Sequence, residues 1–326
     1  MKYRTLGRTG LRISELVFGG GKVGGLLIFQ DDETRRAAIR RALDGGINWI
    51  DTAPLYGDGK SEEALGWLLK EIDDTPYLST KVGLDPARLD DIPGQIERSV
   101  HASLKRLGRD SVDLLQLHNP ISNAGGRRAI AVDHVLGRGA AADGLERMRD
   151  QGLTRFIGIT ALGQAGDCRQ VIDSGRFDTA QVYYNLLNPS AARTLPEAWT
   201  GHDFTGVIAA ARAQDMGLLA IRILASGVLA TDLRHGRESV LGEASDIPTE
   251  ERRAAAVFAA LSTDHGTRAQ TAIRFVLANP EVSGAIVGLA ELAHLEDALG
   301  AAEAGPLPQE ALDKLDAVYA SGFGEG

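Results

Sequence analysis

The sequence is short of the residues that several functional classes require. It holds one cysteine, Cys168, in 326 residues. An intrachain disulfide is therefore impossible, and a cysteine-rich metal site is excluded. Cys168 stands at a helical position and reads as buried filler rather than as a reactive thiol. The 7 histidines show no paired ligand spacing, so no metal is expected. No run of about 20 apolar residues occurs, so nothing is expected to span a membrane. The opening stretch Met1–Thr5 lacks an apolar signal core. Positive charge is also scarce: 35 Lys+Arg face 44 Asp+Glu, a net charge of -9. Basic pieces such as Lys105–Arg106 and Arg234–Arg237 are short. A binder of the phosphate backbone needs a clustered basic surface, so nucleic acid is not an expected partner. The expectation is a soluble, cytoplasmic protein, a monomer or small homo-oligomer.

What is present is a globular composition, with 44% hydrophobic and 24% charged residues. Short apolar runs near 14–19, 47–51, 77–82, 112–117, 154–160, 179–184, 217–223 and 282–287 alternate with longer helical patterns. That alternation predicts βα units and a parallel sheet. The runs are nearly continuous, as in Val112–Leu117, which suits strands covered on both faces. Eight of them with helices between predict a (β/α)₈ TIM barrel over residues 1–326, as a single domain. Tyr3–Ser14 reads as a small hairpin closing the barrel bottom. Helices are expected over 32–43 behind an Asp31 or Asp32 cap and over 61–70 behind a Ser61 cap. A third spans 95–107, with Ile96, Val100, Ser103, Leu104 and Leu107 on one stripe. Residues 257–278 and 308–320 read as late helices. The irregular stretches 119–138 and 233–250 read as long loops.

Barrel chemistry gathers at the C-terminal strand ends. The second run closes on Asp51 and leads into Tyr56, the third closes on Lys81, and the fourth is followed by His118. Each has a plain role to compete with: a turn cap, loop packing, a solvated charge, a core histidine. Together, at adjacent strand ends, they suit hydride reduction of a carbonyl. The developing oxyanion needs a proton from an acid matched to working pH. A free tyrosine, near 10, is too weak an acid. Lys81 beside it is expected to lower that value, and Asp51 to keep Lys81 charged. His118 is placed to hydrogen-bond the substrate oxygen.

These residues carry a resemblance. Asn48-Trp49-Ile50-Asp51-Thr52-Ala53-Pro54-Leu55-Tyr56-Gly57, Ser79-Thr80-Lys81 and Asp113–Pro120 resemble the aldo-keto reductase superfamily. So do Tyr3–Leu11, Gly158-Ile159-Thr160 and Gln181–Asn185. The resemblance implies a barrel that interconverts carbonyls (aldehydes, ketones or aldoses) with alcohols or lactones, using NADP or NAD. It implies catalytic roles for Asp51, Tyr56, Lys81 and His118. It also implies cofactor contacts from Gly19, Gly20, Thr160, Gln181, Arg222, Leu224, Ser226, Gly227, Gly288 and Glu291. The sequence departs from the family on that side. Thr160-Ala161 replaces the usual Ser-Asn, and Ile221-Arg222 stands where an aromatic residue usually stacks on the nicotinamide. The small residues Ala225–Gly227 leave room for backbone N–H groups near a pyrophosphate. NADP is favoured by the family. NAD stays open because 287–292 offers no cation for a 2′-phosphate and Glu291 would repel one. His294, Glu296 and Asp297 either touch the adenosine or form a solvated helix face.

Gly19–Gly24 formally matches G-x-G-x-x-G, but Gly25–Gln30 separate it from the next helix, so a flexible first βα loop is the better reading. Two other functions compete with the redox reading: a Schiff-base aldolase or lyase acting through Lys81, and a nicotinamide-binding sensor with little turnover.

Overall fold

A computed structural model describes residues 1–326 except 197–198, 235, 239, 242–245, 262 and 325–326. The loop read at 233–250 lies partly outside these described residues. Two short strands, β1 (Tyr3–Thr5) and β2 (Arg12–Ser14), pair antiparallel. Eight parallel strands follow: β3 (Leu16–Gly19), β4 (Trp49–Asp51), β5 (Tyr77–Val82), β6 (Val112–Leu117), β7 (Thr154–Ala161), β8 (Thr179–Tyr183), β9 (Gly217–Ile221) and β10 (Gly284–Gly288). They close into a barrel, β10 pairing with both β9 and β3. All eight apolar runs of the sequence are strands of this barrel.

The barrel is a packed core, not a pore. Leu6, Leu11, Ile13, Val17, Trp49, Leu114, Leu219 and Ile286 form an interior cluster at its lower end. The hairpin supplies the first three and so seals the bottom. The approach is close enough to require glycine on both sides. A Cβ on Gly7 would fall 2.3 Å from Gly217 N, and one on Gly217 would fall 2.5 Å from the Leu6 side chain. Arg4 fixes the hairpin by donating to the carbonyls of Leu277, Asn279 and Val282 at 2.6–2.8 Å.

The helices follow the sequence signals with instructive exceptions. Asp31 caps the helix Asp32–Asp44, accepting from Thr34 N at 2.9 Å. The helix Ile92–Leu107 begins three residues before its expected start because Asp91 caps it and Pro93 occupies its first turn. It ends at Gly108 in the left-handed conformation, and its five stripe residues are buried. Ser61 does not cap its helix. That helix is Lys60–Leu68 with Gly59 at the cap. The Ser61 hydroxyl is instead buried against Thr52 Oγ1 at 2.8 Å, beneath the strand end that carries Asp51. The expected helix 257–278 is two, Ile247–Ala260 and Arg268–Leu277. Gly266, with φ +91°, and a capping box between Thr267 and Gln270 restart the chain between them. The helix Ile247–Ala260 also claims the end of the stretch read as a loop, and Val132–Leu136 forms a short helix inside 119–138. Among the described residues no helix is long and apolar enough to cross a membrane, and no group of three or more His, Cys, Asp or Glu side chains could hold a metal.

Candidate active site

Strand alternation decides which side chains enter the barrel. On β5, Ser79 and Lys81 point inward, while Thr80 points out to the buried Glu62 carboxylate at 2.5 Å. Lys81 is 1% exposed and Asp51 2%. The Lys81 ammonium meets Asp51 Oδ2 at 2.5 Å, Thr52 O at 2.9 Å and the Tyr56 hydroxyl at 3.3 Å. All three of its donors are thus engaged. Tyr56 lies in the turn after β4, with Lys81 Nζ also 4.8 Å from its ring centroid. His118 follows β6, and its ring stands edge-on to Tyr56 at 5.7 Å and 86°. The structure brings the four strand-end residues into one group, with Asp51 and Lys81 buried and Tyr56 and His118 half-buried.

Burial alone would discharge Lys81, but Asp51 and Tyr56 outweigh it, and the ammonium is held above its ordinary value. Tyr56 departs from the sequence expectation. Burial pushes its phenol above the usual value of 10.0, and the pull of Lys81 in the other direction does not overcome it, because Asp51 adds to the rise. The resting group is a protonated phenol beside a cation. Burial and the charges of Lys81, Arg128 and Arg222 hold His118 well below 6.5, so its imidazole is neutral.

Beneath these residues lies a network that the strand-end reading missed. Asp51 Oδ1 accepts from Ser79 Oγ at 2.8 Å and from Gln181 Nε2 at 2.9 Å. Ser79 Oγ in turn accepts from Trp49 Nε1 at 2.9 Å. Gln181 therefore holds Asp51 from across the barrel. Ser79 was findable: it sits two residues before Lys81, on the same strand face.

The cofactor-side residues surround the remaining strand ends. Gly19 and Gly20 are glycine for closeness: a Cβ would fall 2.6 Å from Val287 O in one case and 2.6 Å from Ser61 Oγ in the other. Gly21 faces Tyr56, its Cβ position 3.8 Å from the ring. Thr160 Oγ1 is buried without a partner among the described residues. After β9 the backbone turns through positive φ at Arg222, Ala225, Ser226 and Gly227. There Arg222 Nη1 donates to Ser226 Oγ at 2.6 Å, while Leu224 is half-buried. Positions for a Cβ on Gly227 and Gly288 meet nothing within 4 Å, so open space borders both. Glu291 is exposed at the start of the helix Leu292–Ala304. Farther along it, Glu296 is paired with Arg41 at 2.6 Å and His294 Nδ1 accepts from Ala290 N at 3.2 Å. An orphaned hydroxyl, a run of left-handed backbone and open glycines fit an extended polar ligand along β7–β10.

The family model of the Aldo/keto reductase family matches residues 15–320. L-galactose dehydrogenase of Arabidopsis thaliana is 27% identical over 332 residues, covering 98% of this chain and 94% of that protein. D-threo-aldose 1-dehydrogenase of a Pseudomonas species is 32% identical over 238 residues, covering 65% and 69%. Among solved structures, the holo form of aldo-keto reductase AKR11C1 from Bacillus halodurans superposes with a TM-score of 0.75 at 24% identity, covering 98% of this chain and 96% of that one. That last likeness speaks to the fold.

Proposed function

The chain belongs to the Aldo/keto reductase family, and from that premise we propose that it interconverts a carbonyl with its alcohol, or an aldose with its lactone, with Tyr56 as general acid and base. A bound nicotinamide would supply the hydride to the carbonyl carbon, or remove it in the oxidative direction. Tyr56 then gives its phenolic proton to the carbonyl oxygen as that oxygen gains charge. Lys81 stabilises the phenolate left behind, and Asp51 keeps Lys81 an ammonium throughout. Neutral His118 donates a hydrogen bond to the same oxygen and aligns it. In oxidation the proton returns to Tyr56. Thr160, Arg222, Ser226, Gly227 and Gly288 are the residues that would hold the nucleotide. Exposed Glu291, with no cation in 289–292, favours a nucleotide without a 2′-phosphate.

The observation that carries this reading is the contact of buried Lys81 Nζ with both Asp51 Oδ2 and the Tyr56 hydroxyl. It also speaks against a Schiff-base lysine, which must lose its charge to attack. The test follows nicotinamide absorbance with NADH and NADPH separately, over aldehydes and aldoses. Tyr56→Phe is expected to lower turnover by about 10²–10⁴-fold while cofactor binding persists. Equal turnover by Tyr56→Phe would remove the proton-transfer role. Tight cofactor binding without turnover by the unaltered protein would favour the sensor reading. Adducts trapped by borohydride at Lys81 would favour the lyase.

A further inference from the structure

The loop that leaves β6 directly after His118 carries a second chemical feature. It is pinned along its length. Ser122 N donates to Ile130 O at 2.9 Å and Ile130 N to Pro120 O at 3.0 Å. The buried Asn119 donates from Nδ2 to Leu84 O at 2.9 Å and to Arg128 O at 2.8 Å. That last bond holds Arg128 at φ +59°, a left-handed conformation that a non-glycine residue rarely adopts. The loop therefore presents one arginine in a fixed, strained pose, as functional segments often do.

The Arg128 guanidinium lies at the rim of the active site. A Cβ on Gly83 would meet Arg128 Nη2 at 2.7 Å and Leu55 Cδ1 at 3.4 Å. Gly83 stands two residues after Lys81, and Leu55 immediately precedes Tyr56. Arg128 is exposed, whereas the half-buried Arg106 is paired with Glu62, and Arg176 with Asp143 and Glu146. Arg128 has no acidic or hydrogen-bonded side-chain partner among the described residues. Its guanidinium is held below its ordinary value, by burial first and by neighbouring Arg127 second. Its charge also bears on His118, together with those of Lys81 and Arg222. In a chain of net charge -9, Arg128 thus adds at this mouth a positive charge with no acidic partner among the described residues. Of the residues that would hold the nucleotide, only Thr160, on β7, lies on a strand next to β6. The candidate cofactor residues of 222–227 and 288–291 follow β9 and β10, across the closed barrel from the β6 loop.

We infer that Arg128 is a specificity-determining residue, whose guanidinium fork binds a carboxylate or phosphate carried by the substrate at the end remote from its reacting carbon. The inference rests on the redox reading only for which carbon reacts; the anion site stands on the loop. Guanidinium offers paired donors that match both anions, and a pre-set fork loses little freedom on binding. The substrate class is then an acidic carbonyl compound or acidic sugar, held by its anion at Arg128 and by its reacting oxygen at Tyr56 and His118.

Calorimetric titration of the nicotinamide-loaded protein tests this. Glucuronate and glucose-6-phosphate are compared with glucose, and carboxybenzaldehyde with benzaldehyde. At least one anionic probe is expected to bind about tenfold or more tightly than its neutral counterpart, a preference that added salt weakens. Arg128→Gln is expected to bring that ratio to about one, and Arg128→Lys to retain part of it, since lysine keeps charge but not the fork. Where turnover is measured, the loss should appear in KM rather than in kcat. The carboxylate and phosphate arms tell which anion the site takes. Equal affinity for anionic and neutral probes in the unaltered protein would overturn the inference, as would a preference that survives Arg128→Gln. Because binding is read directly, absent turnover would count against the redox reading and not against this one.

Discussion

Asp51 receives hydrogen bonds on both carboxylate oxygens, from Lys81 on one and from Ser79 and Gln181 on the other. A buried carboxylate persists as an anion only with such compensation. Ser79 is thus a positioning residue acting through Asp51, and Trp49 Nε1 backs it. Ser79→Ala removes one charge-assisted bond and strands the indole N–H. Such a bond contributes about 1.5–3 kcal/mol, so kcat should fall by roughly ten- to a hundredfold with KM little changed. The pH dependence separates this from a general packing defect. Tyr56 is raised above its ordinary value, so carbonyl reduction, which needs the phenol, should persist into alkaline pH. Oxidation needs the phenolate and should climb as pH rises. In Ser79→Ala the oxidative limb should move to still higher pH, because Asp51 supports Lys81 less well. Ser79→Thr should restore it. An unmoved limb would confine Ser79 to packing.

At the scale of elements, glycines set the distances between strands. Gly158 on β7 lies between Gln116 on β6 and Thr179 on β8 in register. A Cβ there would fall 2.2 Å from Thr179 Oγ1 and 3.0 Å from Thr179 O, the latter being backbone that cannot step aside. Gly158→Ala is therefore expected to cost about 1–3 kcal/mol, read as a lowered midpoint in denaturant. An unchanged midpoint would mean that β7 and β8 separate more easily than their ladder suggests. The same logic explains why Gly7 and Gly217 meet where the hairpin touches the barrel. It also explains why the G-x-G-x-x-G spacing at 19–24 carries no dinucleotide fingerprint. Gly19 and Gly24 make room for the backbone of Val287 and Leu289, and the chain turns through the short helix Leu26–Phe29 before its next long helix.

For the whole molecule, one buried acid ties stability to pH. Burial pushes Glu250 up from 4.5 to about 7, against the opposing pull of Arg222 and Arg253. The folded state then holds a proton that the unfolded state has released between those values. Stability is full below about 4.5 and falls as pH rises through about 7, by an amount on the order of 2–4 kcal/mol. Glu250→Gln should flatten that decline. A decline of equal slope in the variant would assign it to other groups. The lone thiol contributes nothing similar. Cys168 is buried, its pKa pushed up to about 12, which suits the filler role that its helical position suggested.

The sequence by itself determined the architecture and the four strand-end residues. Apolar runs covered on both faces have few ways to bury themselves, and eight of them separated by helices close into a barrel. Polar residues ending such runs must then gather at one rim, which made Asp51, Tyr56, Lys81 and His118 legible. Helix limits were legible where a cap was local, as at Asp31, and misread where a side chain found a distant partner, as Ser61 found Thr52. Only the tertiary structure decided what each charge experiences. It showed that burial outweighs Lys81 at Tyr56, that Gln181 reaches Asp51 across the barrel, and that Arg128 stands over Gly83. These depend on contacts between residues far apart in the chain and on how much water each loses. A linear pattern records which side chains face inward, but not which of them meet.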